Sequence, residues 1–208
     1  MKVQEIFDAV LAYKMDRLPG LIRQALDEGV PVEQVLQEGL IAPLDDLGQR
    51  FSRGEAFVPE LLMAARTVKV GLEELRPALA RAEAQPMGTV VIGTVQGDLH
   101  DIGKNLVAMM LEGAGFRVVN LGVDVKPEAF VQAARENAAQ VVCMSALLTT
   151  TMPNMERTIQ ALREAGLTCR TMVGGAPVTP KFASEIGADG YSDDAPGAVQ
   201  LARRLVAG

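Results

Sequence analysis

The chain has 208 residues, of which 49% are apolar and 22% are charged. This composition is typical of a globular protein of one or two domains and excludes disorder as the main state. Twenty lysines and arginines stand against 26 aspartates and glutamates, so the net charge is −6. Because no basic block offsets this charge, the sequence argues against binding to nucleic acid.

The location of the protein can be predicted from the same composition. No apolar run approaches the roughly 18–20 residues that a membrane-spanning helix needs, and Glu5 comes too early for a secretory signal. The two cysteines have no paired spacing, which is typical of a reducing compartment. We therefore expect a cytoplasmic protein that contacts no membrane. The single histidine excludes a His-rich metal site within the chain.

Apolar residues at helical spacing predict that residues 1–84 form a helical domain. Four helices are expected, at residues 6–13, 21–26, 32–51 and 59–77. The third should bend at Pro43, because proline lacks the backbone N–H and its ring clashes with the preceding turn. Four helices joined by short connections predict a small four-helix bundle.

After a predicted linker at residues 82–87, strands and helices alternate, and we predict a second domain at residues 88–208. The expected strands are residues 89–95, 117–121, 140–145 and 171–173, with a short fifth strand near residues 190–191. Helices are expected at residues 102–113, after Pro127, at 154–165, from Pro180 and at 198–205. The predicted fold class is therefore α/β, with an N-terminal helical bundle followed in the chain by a flavodoxin-like, doubly wound parallel sheet.

Three unusual stretches follow predicted strands: residues 97–103, 145–151 and 174–177. In a doubly wound sheet, ligands bind beyond the carboxyl ends of the strands, where the strand order reverses. In the order 2-1-3-4-5, strands one and three are neighbours at that point. We therefore expect Asp98 and His100 to face Ser145, although they are far apart in sequence.

The chemistry of His100 narrows the class of ligand. Neutral imidazole binds transition metals well, and a carboxylate such as Asp98 can orient it through the other ring nitrogen. One histidine cannot hold a bare ion, so a metal would arrive with most of its coordination filled, as in a macrocyclic cofactor. Simpler roles remain open at this point: His100 as a loop residue, Asp98 or Asp101 as a helix cap, and Ser145 as a partner of loop backbone.

A set of residues resembles the cobalamin-binding signature: Asp98-x-His100-x-x-Gly103, then Ser145-x-Leu147, then Gly174-Gly175. The longer run at residues 97–105 is similar to the corrinoid methyl-carrier proteins of one-carbon metabolism and to the cobalamin module of methionine synthase. Residues 57–66 and 71–75 resemble the cap helices of the same proteins. The resemblance spans almost the whole chain in the family's order.

The resemblance implies a cobalamin or related corrinoid as cofactor, with His100 replacing its dimethylbenzimidazole base as the lower ligand to cobalt. Asp98 and Ser145 would complete a His–Asp–Ser relay. The helical cap would cover the methyl-bearing face, with Phe57 and residues 61–62 as its shields. The further residues implied at the cofactor are Gly97, Leu99, Asp101, Ile102, Gly103, Leu147, Gly174 and Gly175, with Thr149 and Tyr191 as additional candidates for the cleft around the nucleotide tail.

The function implied is that of a carrier. It would hold a methyl group on cobalt and pass it from a substrate:corrinoid methyltransferase to a methylcorrinoid:acceptor methyltransferase, with a reductive activase as a further partner. The chain has no room for a (β/α)₈ barrel that binds a methyl donor, so we do not expect it to be catalytic alone. The resemblance leaves the donor and the acceptor open.

Three alternatives compete with the carrier. The small module of an adenosylcobalamin mutase shares the motif, but we expect no helical cap there. A cobalamin-dependent sensor needs a DNA-reading segment, and none is visible in this acidic chain. A flavodoxin-like domain that binds another nucleotide would contain no cobalt.

Overall fold

The computed structural model describes residues 2–81 and 86–207 of the chain. Its contacts divide into two compact units, one of Met1–Pro86 with Glu112–Gly115, the other of Met87–Leu111 with Phe116–Gly208. Residues 82–85 of the predicted linker lie outside the described residues, so the linker stays a prediction.

The first unit is built from helices. They are α1 (Lys2–Leu11), α2 (Leu18–Asp27), α3 (Val32–Gln34), a π-helical stretch (Val35–Ile41), α4 (Ala42–Ser52) and α5 (Val58–Arg81). Their apolar faces meet in a core whose largest fully buried side chains are Ile6, Leu18, Ile22, Leu40, Leu61 and Leu75. The core therefore uses the helical spacing from which the bundle was predicted.

Two prolines act differently from the sequence-based expectation. Pro43 lies in the first turn of α4, directly after the π-helical stretch, where the Ala42 N–H bonds to the Gln37 carbonyl. Where a bend was expected at Pro43, the structure has a π-helical stretch that ends two residues before the proline. The prediction that the fourth helix ends at Pro77 is wrong, because α5 continues to Arg81. Pro77 is exposed, so water can bond the carbonyl that the proline leaves free.

The second unit is a five-stranded parallel sheet in the order β2-β1-β3-β4-β5, as predicted. The strands are β1 (Thr89–Thr94), β2 (Arg117–Asn120), β3 (Val141–Ser145), β4 (Arg170–Gly174) and β5 (Gly190–Tyr191). The helices are α6 (Ile102–Gly113), α7 (Pro127–Glu136), α8 (Pro153–Glu164), α9 (Pro180–Glu185) and α10 (Ala195–Ala207). The α/β fold class is confirmed.

The two faces of the sheet carry different side chains, because neighbours along a strand point to opposite sides. Met144 and Val173 join a core with Phe130 of α7 and residues of α8 and α9. Cys143 faces the other side, where the Lys104 ammonium of α6 acts on its thiol. Ser145 lies two residues further along β3, on the same face as Cys143. The carboxyl edge of the sheet therefore has an α6 side and an α7–α8 side.

Candidate cobalt-ligand site

The loop between β1 and α6 presents the single histidine. The Asp98 side chain is completely buried, whereas the His100 side chain is 51% exposed. The Nδ1 atom of His100 lies 2.7 Å from Oδ1 of Asp98, and the backbone N–H of His100 donates to the same oxygen over 3.0 Å. The carboxylate thus fixes both the backbone and the ring of the histidine. The predicted pairing of Asp98 with His100 is present in the structure.

The other oxygen of Asp98 ties this loop to the loop after β3. Oδ2 accepts hydrogen bonds from the backbone N–H of Leu147 at 2.7 Å and of Leu148 at 3.3 Å, and from the Thr151 hydroxyl at 2.9 Å. Burial by itself would raise the pKa of Asp98, but the hydrogen bonds from Leu147, His100 and Thr151 hold it well below the usual range. The carboxylate is therefore ionised at neutral pH.

An ionised carboxylate on Nδ1 determines how a neutral His100 ring is protonated. Nδ1 carries the proton and donates it to Asp98, which leaves the lone pair on Nε2 for a metal. In the described part of the chain, no three His, Cys, Asp or Glu residues come together as a metal site. The donor set fits a metal that brings its other ligands in a macrocycle and takes one imidazole from the protein.

Exposed apolar side chains occur next to the histidine in sequence and in the loop after β3. In the described part of the second unit, the exposed large apolar residues are Leu99 (72% exposed), Ile102 (83%), Leu147 and Leu148. Leu99, Leu147 and Leu148 lie in the two loops that Asp98 joins, and Ile102 is the first residue of α6, directly after the histidine loop. Exposed apolar side chains close to an imidazole form a surface on which a flat ring system can lie.

Small residues lie at the same edge of the sheet. Thr94, Ser145 and Gly174 are register partners across β1, β3 and β4 and share the α6 side of the sheet. A Cβ atom at Gly103 would meet nothing within 4 Å, whereas at Gly174 it would come within 2.9 Å of the Ser192 carbonyl oxygen. Gly103 thus has open space beside it, whereas Gly174 is a place of close backbone approach.

Some of the predicted site residues are not brought together. Ser145 makes no hydrogen bond to Asp98, because its position on β3 places it on the α6 side; the hydroxyl on Asp98 belongs to Thr151. Tyr191 pairs with Val173 and packs with the α7–α8 core, so it is not on the face of Ser145 and Gly174.

The other two candidates are exposed. Thr149 lies in the loop after β3, and Phe57, 70% exposed, precedes α5 in the first unit. Gly97 and Asp101 flank the Asp98–His100 pair in its loop, and both are exposed.

Three residues that position the histidine loop, Thr94, Asp124 and Thr151, were not identified from the sequence. Thr94 donates its hydroxyl to the His100 carbonyl over 2.8 Å. Asp124 accepts from the Gly97 N–H at 2.7 Å, and its own N–H donates to the Asp98 carbonyl at 3.0 Å. The threonine run at residues 149–151 was a signal for Thr151, but no sequence pattern pointed to Asp124.

Comparison with known proteins identifies the family of the chain. Two family models described as "B12 binding domain" match the chain, one over residues 88–200 and the other over residues 3–76. The chain therefore belongs to the B12-binding family, and its cofactor is a corrinoid. In the described part of the chain, no helix combines the length and apolarity needed to cross a membrane.

The similarity to two proteins named as corrinoid proteins extends over almost the full length of both chains. A corrinoid protein of Desulfitobacterium hafniense is 38% identical, over 98% of this chain and 97% of that protein. Dimethylamine corrinoid protein 1 of Methanosarcina acetivorans is 40% identical, over 99% of this chain and 97% of that protein. The crystal structure of the methanol:cobalamin methyltransferase complex of Methanosarcina barkeri matches 100% of this chain and 80% of that chain, with a TM-score of 0.88 and 28% identity.

Proposed function

We propose that this corrinoid protein carries a methyl group between two methyltransferases and binds its corrinoid with His100 as the lower ligand. The observation that carries the proposal is the 2.7 Å contact between Nδ1 of His100 and the buried Asp98, which leaves Nε2 for cobalt. When bound, the corrinoid supplies the cobalt that accepts and releases the methyl group. The relatives named for methylamines and for methanol support this role.

Asp98 has two functions in this proposal. It orients the imidazole and, by accepting a hydrogen bond from Nδ1–H, makes Nε2 a stronger metal ligand. If the His100 ring leaves the metal and takes up a proton, the ionised Asp98 would stabilise the resulting imidazolium. The chain's own residues thereby adjust how firmly the imidazole is held, and the corrinoid performs the chemistry.

The surrounding residues would bind and shield the cofactor. The residues that would pack against the cofactor and exclude water from the His100 ring are Leu99, Ile102, Leu147 and Leu148. The nucleotide tail of the cofactor would be held by Ser145, Gly103, Gly174 and Gly175. Phe57 is proposed as a shield on the methyl-bearing side.

A carrier of this kind works between other proteins. The partners we propose are a substrate:corrinoid methyltransferase, whose substrate is a methylated amine or methanol as in the names of the relatives, and a methylcorrinoid:acceptor methyltransferase. A reductive activase would restore the cofactor after oxidation. We propose that all of them act in the cytoplasm.

The lower ligand can be identified by isotopic labelling. Uniformly ¹⁵N-labelled protein is loaded with unlabelled cobalamin and reduced to cobalt(II), and its electron paramagnetic resonance spectrum is recorded. Ligation by His100 predicts a two-line nitrogen splitting from ¹⁵N, which is lost in His100→Ala. A three-line splitting from the ¹⁴N of the cofactor's own base would reject the assignment.

The carrier role has its own test in the protein isolated from its host. The expected cofactor has a methyl group as its upper ligand, and adding a dimethylamine:corrinoid methyltransferase should let the reduced protein gain methyl groups from dimethylamine or a related donor. Recovery of an adenosyl ligand instead would favour the small module of a mutase.

A further inference from the structure

Phe57 directly precedes α5 and occupies its N-cap position. Its carbonyl accepts the first hydrogen bonds of the helix, from the N–H of Glu60 at 3.0 Å and of Leu61 at 3.3 Å. This position favours serine, threonine, aspartate and asparagine, whose side-chain oxygen can bond the N–H groups of the first turn. Phe57 offers no such oxygen, and its side chain is largely exposed. The aromatic ring therefore contributes neither a helix cap nor much burial to the fold.

The start of α5 needs no capping oxygen from residue 57. Pro59, the second helical residue, has no N–H to bond. The N–H of Glu60 is already bonded to the Phe57 carbonyl. The N–H of Phe57 itself donates to Oε2 of Glu60 over 2.8 Å, which is one half of a capping box. Because these N–H groups are satisfied by the backbone and by Glu60, the side chain at residue 57 has no capping role.

The backbone of Phe57 is held on both sides. Ala56 and Leu61 are buried, at the two positions that form a hydrophobic staple where a helix begins. The carbonyl of Phe57 is fixed by the helix, and its N–H is fixed by the Glu60 carboxylate. When the peptide groups before and after a Cα atom are both fixed, the direction of its Cα–Cβ bond is fixed as well. The direction of the aromatic side chain therefore depends on Glu60.

We propose that Glu60 is a positioning residue for Phe57, and that its carboxylate holds the ring in one direction as a shield for the cobalt-bound methyl group. The inference rests on the proposed function for the use of the ring, whereas the hydrogen bond does not depend on it. Without the carboxylate, the peptide group between Ala56 and Phe57 can rotate. The ring would then spread over several directions and leave the methyl group more open to water.

The first experiment tests the hydrogen bond in the cofactor-free protein, by amide hydrogen exchange at Phe57. The variants are Glu60→Ala, which removes the acceptor, and Glu60→Gln, which removes the charge but keeps an acceptor oxygen. Glu73→Ala is the control, because Glu73 is an exposed residue of the same helix. We expect the Phe57 amide to exchange about 3- to 10-fold faster in Glu60→Ala, the net effect of losing one hydrogen bond. The other two variants should stay close to the wild-type rate.

The second experiment asks whether the shield depends on that bond. Each protein is loaded with methylcobalamin, and loss of the methyl group under constant light is followed by visible absorbance. A ring held over the methyl group should slow this loss, so we expect the rate in Glu60→Ala to lie between those of the wild type and Phe57→Ala. Glu60→Gln and Glu73→Ala should keep the wild-type rate. A defect in folding alone would lower the unfolding temperature without changing the rate of methyl loss.

Unchanged exchange at Phe57 in Glu60→Ala would overturn the proposal, and so would a wild-type rate of methyl loss in that variant when Phe57→Ala is faster. If Glu60→Ala does not fold, the wild type still decides, because a Phe57 amide that exchanges as fast as in an unstructured peptide would refute the bond. Failure of the shield in the proposed function is distinguishable, since Phe57→Ala would then lose its methyl group at the wild-type rate. That result would also reject the use proposed for Glu60.

Discussion

At the residue scale, Asp98 is an ionised group without exposure to solvent. Buried charges are costly unless hydrogen bonds replace water, and here donors from two loops do so. The same donors keep the carboxylate available to the imidazole. Asp98 therefore links the stability of the two loops to the orientation of His100.

Replacing Asp98 with asparagine tests this link. Asp98→Asn keeps the size of the side chain but removes the charge. The amide NH₂ group would replace one of the two oxygens, so that hydrogen-bond donors would face each other at that position. We expect cobalamin binding to weaken by about 10- to 100-fold in an equilibrium titration. Glu164→Gln, on the exposed surface of the same unit, is the charge-matched control. Equal affinity in the two variants would contradict the role of Asp98.

The two cysteines differ in reactivity for a physical reason. Burial raises the pKa of the Cys143 thiol to about 12, with only a partial opposing effect of Lys104, whereas Cys169 is partly exposed. At pH 8 we expect Cys169 to react first with a disulfide reagent in the folded protein. Cys169→Ser should show almost no thiol until urea is added. Rapid labelling of the folded variant would show that Cys143 is accessible.

At the element scale, the loop after β2 supports the histidine loop from the side opposite to Thr151. Asp124 has a left-handed backbone (φ +53°) that aspartate tolerates, and it bonds the Gly97 N–H and the Asp98 carbonyl. The histidine loop is thus fixed by the loops that follow both neighbouring strands.

The contribution of Asp124 can be measured by hydrogen exchange. Asp124→Gly keeps the left-handed backbone without strain but removes the acceptor, so the Gly97 amide should exchange about 10-fold faster or more, the effect of losing a bond to a charged group. Asp124→Asn, which retains an acceptor oxygen, should stay within a few-fold of the wild type. Unchanged exchange in Asp124→Gly would mean that the carboxylate does not hold the loop.

The turn after β4 depends on a glycine. Gly175 has φ +127°, and a Cβ atom there would overlap the carbonyl oxygen of Ala146. We expect Gly175→Ala to lower the free energy of unfolding by about 2–4 kcal/mol, measured by urea denaturation. The contrasting variant is Gly20→Ala, where a Cβ meets nothing within 4 Å and alanine should stabilise α2 by up to about 1 kcal/mol. Equal stability of the two variants would contradict the steric argument.

At the scale of the whole molecule, cofactor binding should stabilise the fold. A ligand that binds only the folded chain adds about 2.7 kcal/mol at a free concentration of 100 times its Kd. We expect the unfolding temperature to rise with cobalamin concentration in a thermal melt and to fall when the cofactor is removed. His100→Ala should shift much less at the same concentration. A shift of equal size in both proteins would show that His100 contributes little to the affinity for cobalamin.

Much of the architecture followed from sequence periodicity. Helical spacing around Ile6 and Leu61 predicted a bundle, and the alternation of strands and helices predicted the parallel sheet and its order. These patterns are reliable because one buried face repeats along each element. The end of α5 was misjudged at Pro77, because a proline on an exposed face interrupts one bond without ending the helix.

The sequence by itself determined the pairing of Asp98 with His100, since two residues in one short loop are close wherever the fold puts that loop. Only the tertiary structure decided that Thr151 bonds Asp98, that Ser145 and Tyr191 lie on opposite faces of the sheet, and that Asp124 supports the loop. These contacts join residues from different strands and loops. They depend on strand register and on the path of each turn, which no local pattern of residues encodes.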